Sequence, residues 1–378
     1  MFVAGTPLRD EPIQITADAS SRAWFVEVEP GVDLSVGDDV EVGWTITPEF
    51  VAQHGMTDVW GPFNDTWQTF FQRTVVSIER GAGADRVWLD IPLRYPIQTR
   101  DGPSIHRVTG LLREFGIESL GLANAVDRES AWAHDRVSVL QLVDLVDCWV
   151  RDVHSFAPPS AADGDDDAPH LQSGGIRIEA SKRVTVQDTH LASAQNRGGG
   201  GNGYLFEIRR SNEILTRDCT ARAGRHNFIQ NWGFGTSGCV WLRIHSSDGR
   251  GQTTMDGGVF TTGLSEFHHS LATANLIDAS IIDDGWGAVN RTHWSSGAGH
   301  SASENVAWNT TGRGVLRWYN FGHGYVIGTG PAIDVATTIV LPNSGGTEPE
   351  DYTEGLGRGE LLQPVSLYED QRALRLAR

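Results

Sequence analysis

A chain of 378 residues with 39% hydrophobic content can bury a large core, and 13 Trp with 14 Phe exclude a disordered polypeptide. The formal net charge of −18 excludes a nucleic-acid-binding surface spread over the whole chain, because phosphate neutralisation needs an excess of basic side chains. Cys148, Cys219 and Cys239 cannot form a complete disulfide framework, lie in no CxxC or Cys/His spacing, and read as buried thiols.

The first residues, MFVAGTPLRDEPIQITADASS, have neither a basic start nor an apolar stretch of signal-peptide length, and no later segment reads as a membrane span. Met1 enters a β pattern that is already running, so an upstream segment or first coil is expected, and cellular location stays open. From Ala23 to Arg107 the pattern is β-rich without repetition. Two alternating runs flank Pro30-Gly31, Thr47 caps a short helix that ends near His54, and two strand candidates flank Gly81-Ala82-Gly83. Residues 1–115 are expected to cap an open end of the part that follows.

Between residues 116 and 330 the chain repeats itself. IRIEASKRVTVQDT, starting at Ile176, recurs 30 positions later as FEIRRSNEILTRDC, which places Ser181 on Ser211, Val184 on Ile214 and Asp188 on Asp218. Related copies begin at Cys148, Cys239, Asn275 and Glu304. Short alternating strands at this period, with no helical stripe between them, predict a parallel β-helix whose rungs bury one another's faces. Val184, Ile214 and Val240 are expected to form one inward stack. The acidic stretch between Phe156 and Ser173 departs from EF-hand spacing and reads as a solvated loop, with a calcium loop as the alternative. Gly198 to Gly201 reads as a turn without dinucleotide-site context. Residues 331–378 read as an irregular tail with a closing helix around Leu367, Leu374 and Leu376.

The repeat between Leu120 and Gly330 resembles the right-handed parallel β-helix proteins of the pectate-lyase-like superfamily, many of which cleave polysaccharides. The resemblance implies an all-β chain: a single-stranded right-handed parallel β-helix with an elaborated β-rich N-terminal part and a short C-terminal helix. It also implies a polysaccharide partner and an extracellular setting, while the charge and the hydropathy pattern point to neither nucleic acid nor membrane. No cofactor is assigned, although some members use a divalent cation such as calcium. One architecture carries many reactions, so the reaction has to come from the site.

If Ile176, Ile178, Phe206 and Ile208 point inward, Arg177, Glu179, Glu207 and Arg209 point outward and stack along the surface. The following rungs add Arg225, His226, Asn227 and Asn231, then Glu266, His268 and His269, then Asp283, Asp284, Asn290 and Arg291, with Tyr204, Trp232 and Trp286 as aromatic platforms. Such a mixture suits a sugar-binding groove, where rings stack on pyranoses and fixed donors orient hydroxyls and carboxylates. For β-elimination on a uronate, the favoured chemistry, Arg225 would clamp the carboxylate and His226 would act as base. For hydrolysis, Asp283 and Asp284 are the candidate carboxylates. Asp256, the Asp283-Asp284 pair, His300 and Arg313 follow the order of motifs in polygalacturonase-like hydrolases, but MDGG and SGAGHS differ from the flanks of that family. A metal bound by His226, Glu266, His268 and His269 is a third reading, in which only one of the adjacent histidines can face the ladder. A non-catalytic carbohydrate-binding β-helix, such as an adhesin or tailspike, is a fourth.

Overall fold

Alternation of apolar and polar side chains dictates the coils. In a computed structural model describing residues 1–124, 127–159, 168–259, 263–338 and 349–377, Gly174–Glu179 pairs in parallel with Tyr204–Arg209, Ile176 opposite Phe206 and Ile178 opposite Ile208. The same register continues through His226–Gln230, Ser265–Phe267, Gly285–Ala288 and Val315–Trp318, as part of a nine-stranded parallel sheet, here called the groove sheet. A second sheet carries two further segments per coil, such as Thr185–Gln187 and His190–Ala192. The chain is therefore an all-β parallel β-helix. Its inner stack runs from Val150 and Leu171 through Phe228 and Trp241 to Trp318 and Val326.

The repeated polar residues turn out to be corner devices. Asp152, Asp188, Asp218, Arg243, Ala279 and Asn309 occupy one register and all have positive φ, a conformation in which Asp and Asn cost less than most residues. Ser181 and Ser211 are fully buried; each hydroxyl donates to the carbonyl two residues earlier, and Ser211 Oγ accepts the Ser181 amide at 3.0 Å.

The inward stack at the next corner differs from expectation by one residue. Trp149, Thr185, Leu215 and Val240 share a register, so Cys148, Val184, Ile214 and Cys239 form the buried stack and Val240 lies half-buried outside it. Further along, Asn275, Asn305 and Asn320 link side chain to side chain and end on Asp351. All three cysteines are buried free thiols.

The N-terminal part contains an antiparallel sheet of strands between Leu8 and Thr109, with Asp39–Thr45 between Trp67–Glu79 and Ser104–Thr109. Thr47 caps the helix Pro48–Gln53 by accepting the Phe50 amide. This sheet lies along the flank of the coils instead of over their end. Asn212 Nδ2 donates to Gly235 O, its Oδ1 accepts the Gln72 amide, and Trp60 Nε1 reaches Ala298 O at 2.9 Å. Its own core of Trp44, Trp60, Phe70 and Phe71 takes in Phe234 and Leu271 from the coils. The first strand, Phe2–Ala4, joins the groove sheet beside Ser138–Val143.

Coil pairing also outlasts Gly330, since Asp334–Ala336 and Tyr352–Glu354 add parallel strands to the two sheets. The helix Leu367–Leu376 forms as expected, but it docks on the side: Ser366 Oγ and the Tyr368 amide donate to Asp278, and Glu369 meets Arg243 at 2.6 Å. Residues 160–167 of the acidic stretch, with Asp163, Asp165, Asp166 and Asp167, lie outside the described residues. Among those described, no helix is long and apolar enough to cross a membrane.

Candidate functional site

On the outer side of the groove sheet the register lines up Arg177, Glu207, Ile229, Glu266, Gly287 and Arg317, and beside them Arg209 with Asn231 and His268. Loops over these strands close a groove with two lobes. The first, of about 480 Å³, is lined by Arg136, Arg177, Tyr204, Glu207, Arg209, Asn231, Trp232, His268 and His269 together with Gly199 to Gly201. The second, of about 400 Å³, is lined by His226, Leu264, Glu266, Val289, Arg291 and Arg317. Arg225, Gln252, Trp294 and Ser295 belong to both.

Two buried carboxylates in one column face opposite electrostatic fates. Burial pushes Glu207 above the usual glutamate range, and Arg209 with the 2.7 Å hydrogen bond from Asn231 only partly opposes it. Burial would push Glu266 the same way, but the Arg291 guanidinium, joined by the hydrogen bond from His268, outweighs it and holds the group well below its ordinary value. Arg291 Nη1 donates to Glu266 Oε2 at 2.6 Å, and His268 Nδ1 lies 2.6 Å from Oε1. His226 Nδ1 donates to the Leu264 carbonyl at 2.5 Å, while its Nε2 sits 3.1 Å from Glu266 Oε1 without the alignment of a hydrogen bond. Burial drives His226 and His268 down to about 4 and His269 to about 3, so the imidazoles are neutral beside an ionised Glu266.

Arg225 is oriented by its surroundings. Nη1 donates to Gly198 O at 2.6 Å, and the guanidinium lies 5.3 Å from the centre of the buried Tyr204 ring. Trp232 packs 4.6 Å from His269 and 5.7 Å from Phe63 and is 38% exposed; Trp294 is 58% exposed. Arginine dominates the lining: Arg136, Arg177, Arg209, Arg225, Arg291 and Arg317 stand against Glu207 and Glu266. The Nε of Arg177, Arg209, Arg291 and Arg317 is buried without a hydrogen-bond partner.

Of the residues singled out in the sequence, Tyr204, Glu207, Arg209, Arg225, Asn231, Trp232 and His268 line the first lobe, and His226, Glu266 and Arg291 the second. Five do not line either lobe. Trp286 faces inward, packed 5.3 Å from Phe267 and 5.7 Å from Trp241, because its register partners are the inward Ser265 and Leu316. Asn227 is fully buried and bonds Gly224, Ser247 and Asp284. Asn290 accepts the Thr292 amide in a turn. Asp284 is enclosed by Ser246, Asn227 and the Gly285 amide, and Asp283 faces His245 at 2.8 Å on the second sheet. The polygalacturonase-like set is likewise dispersed. Asp256 is exposed and bonded to Thr254, His300 is buried against Trp60 and Phe321, and Arg313 stands 84% exposed, 3.9 Å from Asp283. His269 turns to Ser295 O, leaving His268 as the one that meets Glu266.

Arg136, Gln252, Trp294 and Arg317 were absent from the sequence reading, and Arg177 entered it only as an outward residue of the ladder, without a role. Arg177 carried a signal, its outward register beside Glu207; Gln252 and Trp294 sit on loops between repeats, where period gives none.

Neither a family model nor a curated protein sequence matches this chain. Among solved structures it is similar to the Pseudomonas phage phi297 tailspike gp61, with a TM-score of 0.49 and 9% identity over 93% of this chain and 55% of that one. The gp54 tailspike of Acinetobacter baumannii bacteriophage AP22, solved with a capsular saccharide, gives 0.48 and 10% over 94% and 57%. The tailspike gp49 from Pseudomonas phage LKA1 gives 0.37 and 11% over 89% and 60%. The chain thus spans little more than half the length of the structures it resembles, and its assignment as a parallel β-helix rests on the strand register itself.

Proposed function

We propose that the groove binds an acidic polysaccharide and hydrolyses it, with Glu207 as the acid and Glu266 as the base. The observation that carries this reading is the carboxylate pair: same outward column, two rungs apart, one pushed toward the protonated form and the other held ionised. At about 4.8 Å per rung the two backbones are roughly 10 Å apart, which suits carboxyl groups that leave room for a water between sugar and base. Glu207 gives its proton to the glycosidic oxygen as that bond breaks. Glu266 takes a proton from the water whose oxygen bonds to the anomeric carbon. The arginines favour a carboxylated or otherwise anionic sugar, and Trp232 and Trp294 offer stacking faces.

Elimination is the second reading, favoured by the arginine excess and by the neutral His226, whose Nε2 is free to accept a proton. The two reactions separate in one assay on a panel of acidic and neutral polysaccharides. New reducing ends without an unsaturated, ultraviolet-absorbing product are expected; an unsaturated product would establish elimination instead. Glu207→Gln should lower cleavage by about 10²–10⁴-fold. Because the acid must be protonated, wild-type kcat/KM should fall as pH rises through the raised Glu207 value. Full activity in Glu207→Gln would sink this assignment.

A further inference from the structure

The cluster behind the second lobe holds an unresolved electrostatic conflict. His226 commits Nδ1–H to the Leu264 carbonyl, which leaves the Nε2 lone pair aimed toward Glu266 Oε1 at 3.1 Å, acceptor facing acceptor. Nε2 is buried and has no hydrogen-bond partner. His268 brings its Nδ1 to the same oxygen at 2.6 Å. One ligand atom from each of the three residues falls within 4.8 Å of the others, and all three residues are buried.

We infer that His226, Glu266 and His268 form a binding site for a divalent first-row transition metal, with zinc as its reference ion. A cation between Nε2, Nδ1 and Oε1 replaces the facing lone pairs of His226 and Glu266, and the His268 hydrogen bond, with three bonds, the His268 proton moving from Nδ1 to its Nε2. Zinc with bonds of about 2.0–2.1 Å spaces tetrahedral ligands about 3.3 Å apart. The His226–Glu266 contact of 3.1 Å and the His268–Glu266 contact of 2.6 Å lie near or inside that edge, and the remaining His226–His268 edge, within 4.8 Å, closes by rotation of the two imidazoles toward the ion.

The surroundings are those of a ligated metal. Leu264 O fixes the His226 tautomer, and Arg291 holds Glu266 Oε2, leaving Oε1 for the ion. Two imidazoles and one carboxylate exclude a calcium-type site, which needs six to eight oxygens. Three protein ligands leave further positions for water or a sugar oxygen on the groove side. The inference does not rest on the cleavage reading. Within it, the ion would lower the pKa of a bound water so that it loses its proton to solvent and serves as the attacking hydroxide, replacing Glu266 as base, and the part of Glu207 would be unchanged.

The test uses the full chain, stripped with a chelator and titrated with zinc and cobalt by calorimetry and visible absorption. One zinc per chain is expected, with His226→Gln and His268→Gln each weakening it by more than about 100-fold. His190→Gln should leave it unchanged; this residue is part of the stacked His154–His190 pair, 5.1 Å between ring centres, on the second sheet. Absence of saturable binding, binding retained in both groove variants, or binding lost in His190→Gln would overturn the inference. Should a groove variant not fold by near-ultraviolet dichroism, zinc X-ray absorption of the unaltered protein decides, because a shell other than two imidazoles plus oxygen refutes the site. Stripped protein that still cleaves polymer while binding no zinc defeats the metal and leaves the hydrolytic reading intact. Zinc bound at this site by a protein that cleaves nothing does the reverse.

Discussion

The two faces of the same coils solve different problems. On the second sheet one register reads Trp149, Thr185, Leu215, Val240, Leu276, Val306, Tyr325 and Tyr352, a column of mainly apolar residues of changing size. Its charges close locally: Asp218 accepts from Arg217 at 2.7 Å and from Arg243 at 2.6 Å, and Arg243 also meets Glu369. On the groove sheet the equivalent column changes chemistry at almost every rung, buries its carboxylates and leaves arginine Nε groups without partners. A solenoid that only has to stack satisfies its polar groups with neighbours in the repeat. Donors left over on one face mark the face that meets something else.

The regular face depends on the buried stack beneath it, and breaking that stack should give the largest effect. Ile214 is fully buried between Val184 and Cys239, so Ile214→Asp puts an unpaired carboxylate into the core and should abolish folding. Val240→Asp, one residue past this stack and half-buried, should fold with a loss of about 1–2 kcal/mol. Chemical denaturation followed by far-ultraviolet dichroism separates the two; equal losses would mean that the inward register is misassigned.

That contrast also shows what the sequence could convey. Period-two alternation marked Ile176, Ile178, Phe206 and Ile208 as inward because polar neighbours framed them. It failed at Cys239-Val240-Trp241-Leu242, where every residue is apolar and either parity reads equally well. It failed at Trp286 for the opposite reason, since Gly285 and Gly287 have no side chains to set the parity. The repeated Asp188 and Asp218 are corner residues, whereas the groove carboxylate Glu207 stands where the preceding copy of the repeat has Arg177, a position whose chemistry changes from rung to rung. Gln252 and Trp294 come from connecting loops, whose position depends on packing over the sheet and leaves no periodic trace.

A second difference between the faces is titration. Burial lowers His54, His226, His268 and His300 to about 4, and these lie in the groove or where the N-terminal sheet meets the coils. The unfolded chain takes up protons near 6.5 while the folded chain does not, so each contributes stability that is complete above about 6.5 and is lost as pH falls toward about 4. For His300, whose Nε2 donates to His54 O, that amounts to up to about 3 kcal/mol. Thermal midpoints of wild type and His300→Gln, measured from pH 7 to pH 4, should converge as pH falls. Parallel curves would show that His300 titrates alike in the folded and unfolded chain.

The smallest effect should come from cutting a charge pair on the regular face. Arg217 is 34% exposed at its side chain and shares Asp218 with Arg243, which keeps two hydrogen bonds to that carboxylate, at 2.6 and 3.0 Å, when Arg217 is gone. Arg217→Ala should therefore cost less than about 1 kcal/mol, within the range of exposed pairs. In the same coil Arg209 is 13% exposed and lies 3.7 Å from Glu179 and 3.9 Å from Glu207. Arg209→Ala removes the main charge opposing the burial of Glu207 and leaves that carboxylate with Asn231 and Arg177. Its cost should reach about 3 kcal/mol, since a buried charge loses its partner, and it should shrink at acidic pH, where Glu207 takes up a proton. Urea denaturation of both variants at pH 7 and pH 5 reads out the difference. If Arg217→Ala matched Arg209→Ala at both values, the groove face would hold its charges no differently from an ordinary solenoid surface, and the case for a ligand there would lose its physical basis.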